Sequence, residues 1–350
     1  MVFLCSDRTL DAAILEPRGA VFKPIPARPA AIRPMPQAPI RFVTGWVRSV
    51  RTARRILGEL QESSPAGNPV VVSMGGYVAA PVMRAAHRLG LQSLLVNLDR
   101  VPGKANRVMA RWSRHAVSAV EVDPAHCPAS LRNLEVTGMP IRRDAVSTEP
   151  PAVCRQQFGL EPERPTLLVT GASQGAGSLN DLLVLMCRTS WSAEVLKKWQ
   201  VLHLCGPSRT GALEAAYRTA GIQARVIEFC DCMGDAWGTA TIALSRAGAS
   251  SVAEAAANAI PTVFAPYPWH RDEHQRFNAQ PLVDFGGGWC LKDHIDAAAN
   301  LKGIGRCLID LMTSPEGIHR AGEALRRNPK TDAAGRIAAI CGEMAERKGP

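Results

Sequence analysis

The sequence has little of what marks several common protein classes. Aromatic residues make up only 5% of its 350 residues, so we expect cores built from Val, Leu, Ile and Ala. Ten cysteines are present without any CxxC pair; the nearest two are Cys230 and Cys232, a spacing that neither zinc sites nor redox motifs favour. We interpret the cysteines as mostly buried, reduced residues.

Long apolar runs are also lacking. No stretch approaches the roughly 18 residues that a membrane-spanning helix needs. The first residues include Asp7, Arg8 and Asp11 and show no apolar core of a signal peptide. We therefore expect a cytosolic protein with, at most, peripheral contact to a membrane.

Charge is unevenly distributed along the chain. The net charge is +10, and residues 1–145 hold all of the excess, with 20 Lys and Arg against 10 Asp and Glu. A basic half indicates a polyanionic partner. Nucleic acid, anionic lipid and a phosphorylated substrate all fit this charge.

Short β-rich apolar runs alternate with helical stretches in two series. The predicted strands are Val70–Val72, Leu94–Val96, Ala116–Val120, Leu167–Thr170, Val201–Leu204, Arg225–Ile227, Ile242–Leu244 and Thr262–Ala265. Helices are predicted from Pro81 to about Leu89, where Gly90 ends the helix, and at Asn106–Arg114. This alternation predicts two α/β domains with parallel sheets, residues 1–148 and 149–350, joined through a proline-containing linker at 145–165. Residues 24–39, with six prolines, are expected to form an extended loop. Ligands of such sheets bind beyond the carboxyl ends of the strands, and we expect the site in a cleft between the domains.

A glycine loop follows one predicted strand in Thr166–Asp181, TLLVTGASQGAGSLND. The loop contains Gly171, Ser173, Gln174, Gly175 and Gly177. Glycines allow backbone N–H groups to approach a phosphate, and the following helix adds partial positive charge. The loop is neither a P-loop nor a GxGxxG motif, and an ordinary strand–helix turn remains the alternative.

A second motif lies in Ser245–Pro266, SRAGASSVAEAAANAIPTVFAP. Ser251 and Glu254 have the spacing of a capping box, which favours a simple helix cap. The alternative is functional: a carboxylate one turn into a helix beside a glycine turn can accept two ribose hydroxyls.

A third motif, Trp269–Ala279, is rich in hydrogen-bonding side chains. His270 and His274 lie four residues apart, but no HExxH pattern or third ligand accompanies them, so we expect no metal site. Recognition of a polar ligand fits better. Ser73–Met83, SMGGYVAAPVM, is either a second substrate loop or a turn.

The stretch Ile40–Leu60 predicts a basic amphipathic helix. Its candidate membrane-contacting residues are Trp46, Val47, Arg48, Arg51 and Arg55. A basic helix with an aromatic residue can lie in a membrane interface, where each Arg contributes about 1 kcal/mol. A helix packed on its own sheet with a solvated basic face is an equal alternative. Nucleic acid is disfavoured because aromatics are not interleaved with the basic residues.

Taken together, the motifs resemble the MurG-type UDP-N-acetylglucosamine transferases of the GT-B fold. The matching stretches, in order, are Met74–Pro81, Val101–Arg107, Val136–Arg142, Leu167–Asn180, Arg246–Glu254 and His274–Ala279. The resemblance covers nearly the whole chain. It implies two Rossmann-like doubly wound domains: an acceptor- and membrane-facing domain, and a UDP-sugar-binding domain whose last helix returns towards the first.

The resemblance also implies an activity and its residues. The expected reaction is inverting, metal-free and cofactor-free transfer of N-acetylglucosamine from UDP-GlcNAc to an undecaprenyl-diphosphate-linked N-acetylmuramyl pentapeptide, at the cytoplasmic face of the anionic inner membrane. Arg142 and Ser173, with Gln174 beside them, are implied to contact the diphosphate. The backbone around Cys230 and Met233 is implied to hold the uracil, and Glu254 to bind the ribose hydroxyls. A helix N-terminus at Ala249, Ser250 and Ser251 is implied to face the phosphates. Gln275 and Asn278 are implied to orient the sugar with His274 beside them, and Arg246 is a further candidate for substrate binding.

Two departures from the family pattern stand in the first half. The chain opens at Val2–Leu4, which matches the family's second strand, so the first strand and its glycine loop with a histidine are absent; we expect the native protein to extend upstream. Asn97 and Asp99 replace the usual glutamate and asparagine; Asn97 is a candidate for substrate binding and Asp99 is the candidate for a catalytic role. These changes leave three alternatives: another lipid or glycan acceptor, a non-catalytic UDP-sugar-binding protein, and, more distantly, a UDP-sugar epimerase.

Overall fold

The computed structural model describes residues 1–28, 38–63, 69–171, 176–269, 272–327 and 331–347. The chain forms two compact units, Met1–Met139 with Asp332–Pro350, and Pro140–Thr331. The sequence placed the boundary at residues 148 and 149. Residues 145–147 belong to the second unit because the Asn258 side chain accepts from the Ser147 N–H (2.8 Å) and donates to the Ala145 carbonyl (2.9 Å).

The first unit contains six strands and five helices among its described residues. They are β1 (Phe3–Ser6), α1 (Thr9–Leu15), β2 (Phe22–Ile25), α2 (Ala38–Glu62), β3 (Val70–Ser73), α3 (Ala79–Arg88), β4 (Gln92–Asn97), α4 (Lys104–Met109), β5 (His115–Ser118), β6 (Glu135–Val136) and, at the end of the chain, a helix at Ala333–Glu346. The strands pair in parallel as two sheets, β1–β2 and β3–β4–β5–β6. No strand of the described residues joins the two sheets.

Alternation along β4 explains how the larger sheet is covered on both faces. Leu95 points to a core that includes buried residues of α2 and α3. Leu94 and Val96 point to the other face, where they pack against the final helix through Ile337 and its neighbours. Because successive strand residues face opposite sides, a sheet covered on both faces needs the continuous apolar run that β4 has.

The second unit is a single six-stranded sheet with helices around it. Its elements are α5 (Pro151–Gln157), β7 (Thr166–Thr170), α6 (Gly177–Arg188), α7 (Ser190–Leu196), β8 (Gln200–Leu204), α8 (Thr210–Thr219), β9 (Gln223–Ile227), α9 (Met233–Thr239), β10 (Ile242–Ser245), α10 (Ala249–Ala257), β11 (Thr262–Phe264), α11 (His274–Asp284), β12 (Gly288–Cys290), α12 (Ala297–Asn300), a π-helical turn (Leu301–Gly305), α13 (Arg306–Met312) and α14 (Pro315–Arg327). All strands are parallel, in the order β12-β11-β10-β7-β8-β9. The final helix of the first unit is therefore α15.

All the predicted strands are present, with ends that differ by one or two residues. Two predictions about helices were wrong. The stretch 145–165 is not purely a linker, because α5 starts with Pro151 at its first position, where a missing N–H costs nothing. The helix predicted for Asn106–Arg114 ends at Met109, since the chain then turns into β5 and the Arg114 N–H donates to the Ser93 carbonyl. The extended loop predicted at 24–39 was wrong at both ends, because residues 24 and 25 belong to β2 and residues 38 and 39 to α2. Residues 29–37 lie outside the described residues.

Candidate functional site

The order of the second sheet reverses between β7 and β10. Neighbouring β7 and β10 pair Thr170 with Ser245 at their carboxyl ends. In open α/β sheets a ligand binds outside the carboxyl ends of the strands at such a point. The glycine loop after β7 leads there, but its Ser173 and Gln174 lie outside the described residues, so their predicted contacts stay predictions.

Helix α10 begins beside this point and does not use the predicted capping box. Gly248 is the N-cap, in extended conformation, and no side chain caps the helix. Ser251 is the third helical residue and Glu254 the sixth, so the capping interpretation of this pair was wrong. The first amides of the helix, at Ala249, Ser250 and Ser251, have no intrahelical acceptor by geometry, which suits an anion.

The Glu254 carboxylate lies half-buried against α9. The Trp237 indole Nε1–H donates to Glu254 Oε2 at 3.0 Å, and the Trp237 ring is fully buried. Burial raises the pKa of Glu254, while the Trp237 hydrogen bond and the positive charge of Arg142 oppose that rise. Asp144 raises the pKa further, and it pairs with the exposed Arg142 at 3.5 Å. Arg142 and Glu254, far apart in sequence, therefore share one electrostatic environment.

Arg246 points into the protein. Its Nη1 donates to Asp293 Oδ2 (2.7 Å) and to the Ala265 carbonyl (2.8 Å), and its Nη2 donates to Ser178 Oγ (2.9 Å). Asn300 donates to the other carboxylate oxygen of Asp293. The network ties together the ends of β10 and β11, the start of α6 and the loop after β12. A direct contact of Arg246 with substrate stays a prediction that this arrangement does not support.

The two residues that the resemblance links to uracil, Cys230 and Met233, lie shortly before α9 and at its first position. Cys230 is buried, with its Sγ 3.8 Å from the Sγ of exposed Cys232. Burial, followed by the neighbouring Cys232, raises the pKa of Cys230 to about 12, so the thiol stays protonated. Met233 is the first residue of α9 and is partly exposed. The expected uracil contact uses the backbone here and remains a prediction.

Helix α11 carries the polar cluster that follows β11. His274 Nδ1 lies 2.8 Å from Asp272 Oδ1, and Gln275 Oε1 accepts from the Tyr267 N–H at 2.8 Å. Asn278 is buried one turn further on. The Glu273 backbone has a left-handed φ of 45°, which re-aims the chain into the helix. His270 lies outside the described residues; within them, no group of three or more His, Cys, Asp or Glu side chains could hold a metal ion.

In the first unit, the Asn97 side chain is fully buried and makes several hydrogen bonds. Its Nδ2 donates to the Asp99 carbonyl (2.7 Å) and Ser118 Oγ (3.0 Å), and its Oδ1 accepts from Asn106 Nδ2 (3.0 Å). The side chain thus fixes the loop after β4, and its predicted substrate contact is not supported by this burial. Asp99 is partly exposed near the start of that loop, and its catalytic role stays a prediction.

Gly75, in the loop after β3, lies against the same network. Its φ is +97°, and a Cβ at this position would lie 2.8 Å from Asn106 Oδ1. The turn after β3 therefore requires glycine at position 75, and the motif Ser73–Met83 has at least this structural role.

Helix α2 combines the two alternatives that the sequence left open. Its buried side packs on the core through Val50 and Leu57 among others, and Trp46 packs against Trp112 with ring centroids 6.2 Å apart. The remaining members of the predicted membrane set are exposed: Val47, Arg48, Arg51 and Arg55. Exposed Phe42 and Val43 extend the apolar part of that surface. Across the described chain, no helix has the length and apolar character needed to cross a membrane.

Comparison with known proteins gives the family. Residues 1–118 match the N-terminal domain model of glycosyltransferase family 28 and residues 166–334 match its C-terminal domain model. A UDP-N-acetylglucosamine–N-acetylmuramyl-(pentapeptide) pyrophosphoryl-undecaprenol N-acetylglucosamine transferase from Acidothermus cellulolyticus is 35% identical over 308 residues, 85% of this chain and 79% of that protein. The transferase of the same name from Streptomyces coelicolor is 31% identical over 335 residues, 94% of this chain and 85% of that protein. The chain belongs to the MurG-type transferases of glycosyltransferase family 28.

Solved structures confirm the fold of this MurG-type chain. MurG of Acinetobacter baumannii superposes with a TM-score of 0.68 at 22% identity, over 97% of this chain and 90% of that one. A UDP-N-acetylglucosamine 2-epimerase assigned in Listeria monocytogenes superposes with 0.63 at 13% identity, over 100% of this chain and 89% of that one. The predicted GT-B fold, family and glycosyltransferase class are confirmed, and the fold alone does not separate transferase from epimerase.

Three site residues of this MurG-type chain were missed in the sequence. Trp237 donates a hydrogen bond to Glu254, and Asp293 accepts one from Arg246. Asn258 accepts a hydrogen bond from Ser147, in the segment that follows Arg142. Trp237 lies 17 residues before Glu254 and Asp293 lies 47 after Arg246, so no local spacing signals either pair. Asn258 lies on the Glu254 face of α10, four residues on, and this spacing was the one available signal.

Proposed function

We propose that this protein transfers N-acetylglucosamine from UDP-GlcNAc to an undecaprenyl-diphosphate-linked N-acetylmuramyl pentapeptide, with inversion at the sugar carbon. Membership of the MurG-type family supports this reaction, because its relatives are named for it. The observation that carries the donor half is the Glu254 carboxylate, half-buried near Arg142 and two turns into a helix whose start faces the reversal point of the sheet.

The donor would lie along the carboxyl ends of the second sheet. In this proposal Glu254 accepts the ribose hydroxyls, and the backbone at Cys230 and Met233 holds the uracil. The amides at the start of α10 bind the phosphates together with Arg142 and Ser173. Gln275 and Asn278 orient the sugar, with His274 beside them. Arg246 would not contact the donor directly; it would support the site through its hydrogen bonds with Asp293 and their neighbours.

The chemistry is a direct displacement. An acceptor hydroxyl attacks the sugar carbon while the bond to UDP breaks, so negative charge grows on the leaving diphosphate. A helix N-terminus and a guanidinium stabilise such charge without a metal ion. Arg142 is suited to this because its side chain is 53% exposed, and within the described part of the chain it pairs with Asp144 at 3.5 Å. Asp99 is our candidate for receiving the proton of the hydroxyl.

The acceptor is anchored in a membrane, and we propose peripheral attachment at the cytoplasmic face through α2. Exposed Phe42, Val43 and Val47 supply apolar contact, and exposed Arg48 and Arg51 face anionic headgroups. Arg55 contributes less, because it already pairs with Glu59 at 2.7 Å. Two to three arginines at about 1 kcal/mol each give reversible binding.

The deciding experiment incubates the purified protein with radiolabelled UDP-GlcNAc and the lipid-linked N-acetylmuramyl pentapeptide, followed by separation of the lipid product. Label in the lipid fraction with wild-type protein, lost in Glu254→Ala, is the expected result. Parallel reactions with other polyprenyl-linked glycans test the acceptor. Label that enters one of those lipids instead would replace the acceptor proposed here and keep the reaction class.

A second candidate function is binding of UDP-sugar without turnover. This function is favoured by two features of the first unit. Its strands form two separate sheets, and the Asn97 side chain is engaged in internal hydrogen bonds. Calorimetric binding of UDP-GlcNAc with no lipid product under any acceptor condition would select this function. Conversion of UDP-GlcNAc without any acceptor would instead indicate an epimerase.

A further inference from the structure

The Trp237 indole lies where it can fix one oxygen of the Glu254 carboxylate. Its ring is fully buried, and Nε1–H donates to Oε2 at 3.0 Å. The indole has a single donor and no acceptor, whereas an ionised carboxylate offers about four lone-pair sites. One bond from Trp237 therefore orients the carboxylate and leaves most of its acceptor capacity for a ligand.

Helix α9 holds the indole in a fixed place. A Cβ at Gly234 would lie 2.9 Å from the carbonyl oxygens of Asp144 and Val146, and one at Gly238 would collide with Ser147 and Cys154. The two glycines therefore let α9 lie directly on the segment that follows Arg142. Close packing of this kind leaves a buried ring little freedom to reorient.

The segment that follows Arg142 is also tied to α10, the helix that carries Glu254. Asn258 Nδ2 donates to the Glu254 carbonyl (2.8 Å) and the Ala145 carbonyl (2.9 Å), and Oδ1 accepts from the Ser147 N–H (2.8 Å). The carboxylate is thus bounded by three pieces of chain whose positions depend on each other. Within these surroundings, the orientation of the Glu254 carboxylate is set by the hydrogen bond from Trp237.

We propose that Trp237 is a positioning residue for recognition of the nucleotide ribose. By holding Oε2, it presents the Glu254 carboxylate to the 2′- and 3′-hydroxyls and so lets the protein distinguish a ribonucleotide from a deoxyribonucleotide. This inference rests on the proposed function, which assigns the ribose to Glu254. The proposed effect on ribose recognition comes from the Trp237 hydrogen bond and not from the packing of its ring. A mutation that removes only the N–H therefore separates the two contributions.

The test compares binding of UDP and 2′-deoxy-UDP by calorimetry to the wild-type protein and to Trp237→Phe, which keeps an aromatic ring and removes the N–H. We expect the Kd for UDP to rise about tenfold, as for loss of one hydrogen bond to a charged group. The Kd for 2′-deoxy-UDP should rise less, so the ratio of the two constants falls. Donor KM should change more than kcat.

Trp199→Phe is the matched control. Trp199 is also buried in the second unit, and it packs in a different hydrophobic cluster from Trp237. It should leave the ratio of the two dissociation constants unchanged. Equal weakening of both nucleotides by Trp237→Phe would show a general packing role and overturn the inference.

The Glu254→Gln background separates this inference from the proposed function. Adding Trp237→Phe to Glu254→Gln should change UDP affinity by less than about twofold, since coupled residues are not additive. If Glu254→Gln lowers the UDP preference and Trp237→Phe does not, the inference alone is wrong. If Glu254→Gln leaves the preference unchanged, the ribose assignment itself fails.

A measurement on folded protein remains decisive if Trp237→Phe does not fold. The chain has seven tryptophans, so a ¹⁵N-indole spectrum has few signals. One signal should shift both in Glu254→Gln and on addition of UDP, with a smaller shift for 2′-deoxy-UDP. A spectrum in which no indole signal responds to both changes would overturn the inference.

Discussion

The guanidinium of Arg246 and the carboxylate of Asp293 form an ion pair of 2.7 Å in which the two side chains are 8% and 0% exposed. Removing one partner of such a pair leaves a buried charge uncompensated. Asp293→Ala should therefore lower the free energy of unfolding by about 3–5 kcal/mol, measured by urea denaturation. Asp310→Ala, which breaks an exposed pair with Arg306, is the control and should cost far less. Similar losses in both variants would contradict this view of the network.

Donor binding should depend on pH through Glu254. Burial raises the pKa of Glu254, and the Trp237 hydrogen bond and Arg142 only partly oppose it, while Asp144 adds to the rise. Only the ionised carboxylate accepts both hydroxyls, so donor KM should increase as pH falls, starting above the range in which an ordinary glutamate protonates. Steady-state kinetics of wild-type and Glu254→Gln across pH measure this. The variant should have a higher KM at neutral pH without that pH dependence; a dependence that persists in the variant would exclude Glu254 as its source.

Stability should fall in mild acid because of His203. Its Nδ1 lies 2.9 Å from the Tyr217 hydroxyl and its Nε2 lies 3.0 Å from Asn180 Oδ1, and burial lowers the pKa of His203 to about 3. Between that value and about 6.5 the unfolded chain binds a proton that the folded protein does not, so stability is complete above pH 6.5 and lost as pH falls. The loss from pH 7 to pH 5 should be about 2 kcal/mol.

Urea unfolding of wild-type and His203→Gln at both pH values checks this. The variant cannot titrate at this position, so its stability should depend less on pH, even if it is lower overall. His319→Gln, at an exposed position, should keep the wild-type dependence. Equal pH dependence in wild-type and His203→Gln would show that other groups cause the acid loss.

Activity should not require a metal ion. The proposed charge stabilisation comes from the amides at the start of α10 and from Arg142, which need no cation. EDTA treatment should therefore leave the transfer rate unchanged. Loss of activity in EDTA that magnesium restores would contradict the proposed mechanism.

Membrane attachment should depend on the exposed arginines of α2. Arg48→Glu with Arg51→Glu should weaken binding to vesicles containing anionic lipid by tenfold or more, since each Arg is worth about 1 kcal/mol and each reversal adds repulsion. The matched control reverses two exposed arginines of the second unit, Arg218→Glu with Arg225→Glu. Vesicle co-sedimentation measures both. Equal loss in the two double variants would indicate an effect of net charge and not of α2.

Local sequence was sufficient to predict eight of the strands. Apolar runs such as Leu167–Thr170 predicted parallel strands because a strand buried on both faces needs an uninterrupted apolar run. The end of α3 was also readable, since Gly90 adopts the left-handed φ of 71° that terminates a helix. Six motifs in order predicted the family, which the comparisons confirm.

Local spacing was misleading where a helix start was decided by its surroundings. Ser251 and Glu254 have the spacing of a capping box, but α10 begins at Ala249, directly after the turn that follows β10. The carboxylate therefore lies one turn deeper than a cap and meets Trp237 instead of a backbone amide.

The sequence by itself determined where most of the strands lie, because burial periodicity and turn residues act within a few positions of the chain. Only the tertiary structure decided which polar groups make hydrogen bonds inside the protein and which remain available for a ligand. Asn97 and Arg246, two candidates for substrate binding, hydrogen-bond inside the protein to partners that include Asn106 and Asp293. The physical reason is that a buried polar group must find a partner, and the fold supplies that partner from residues that are remote in sequence or lie outside the motif.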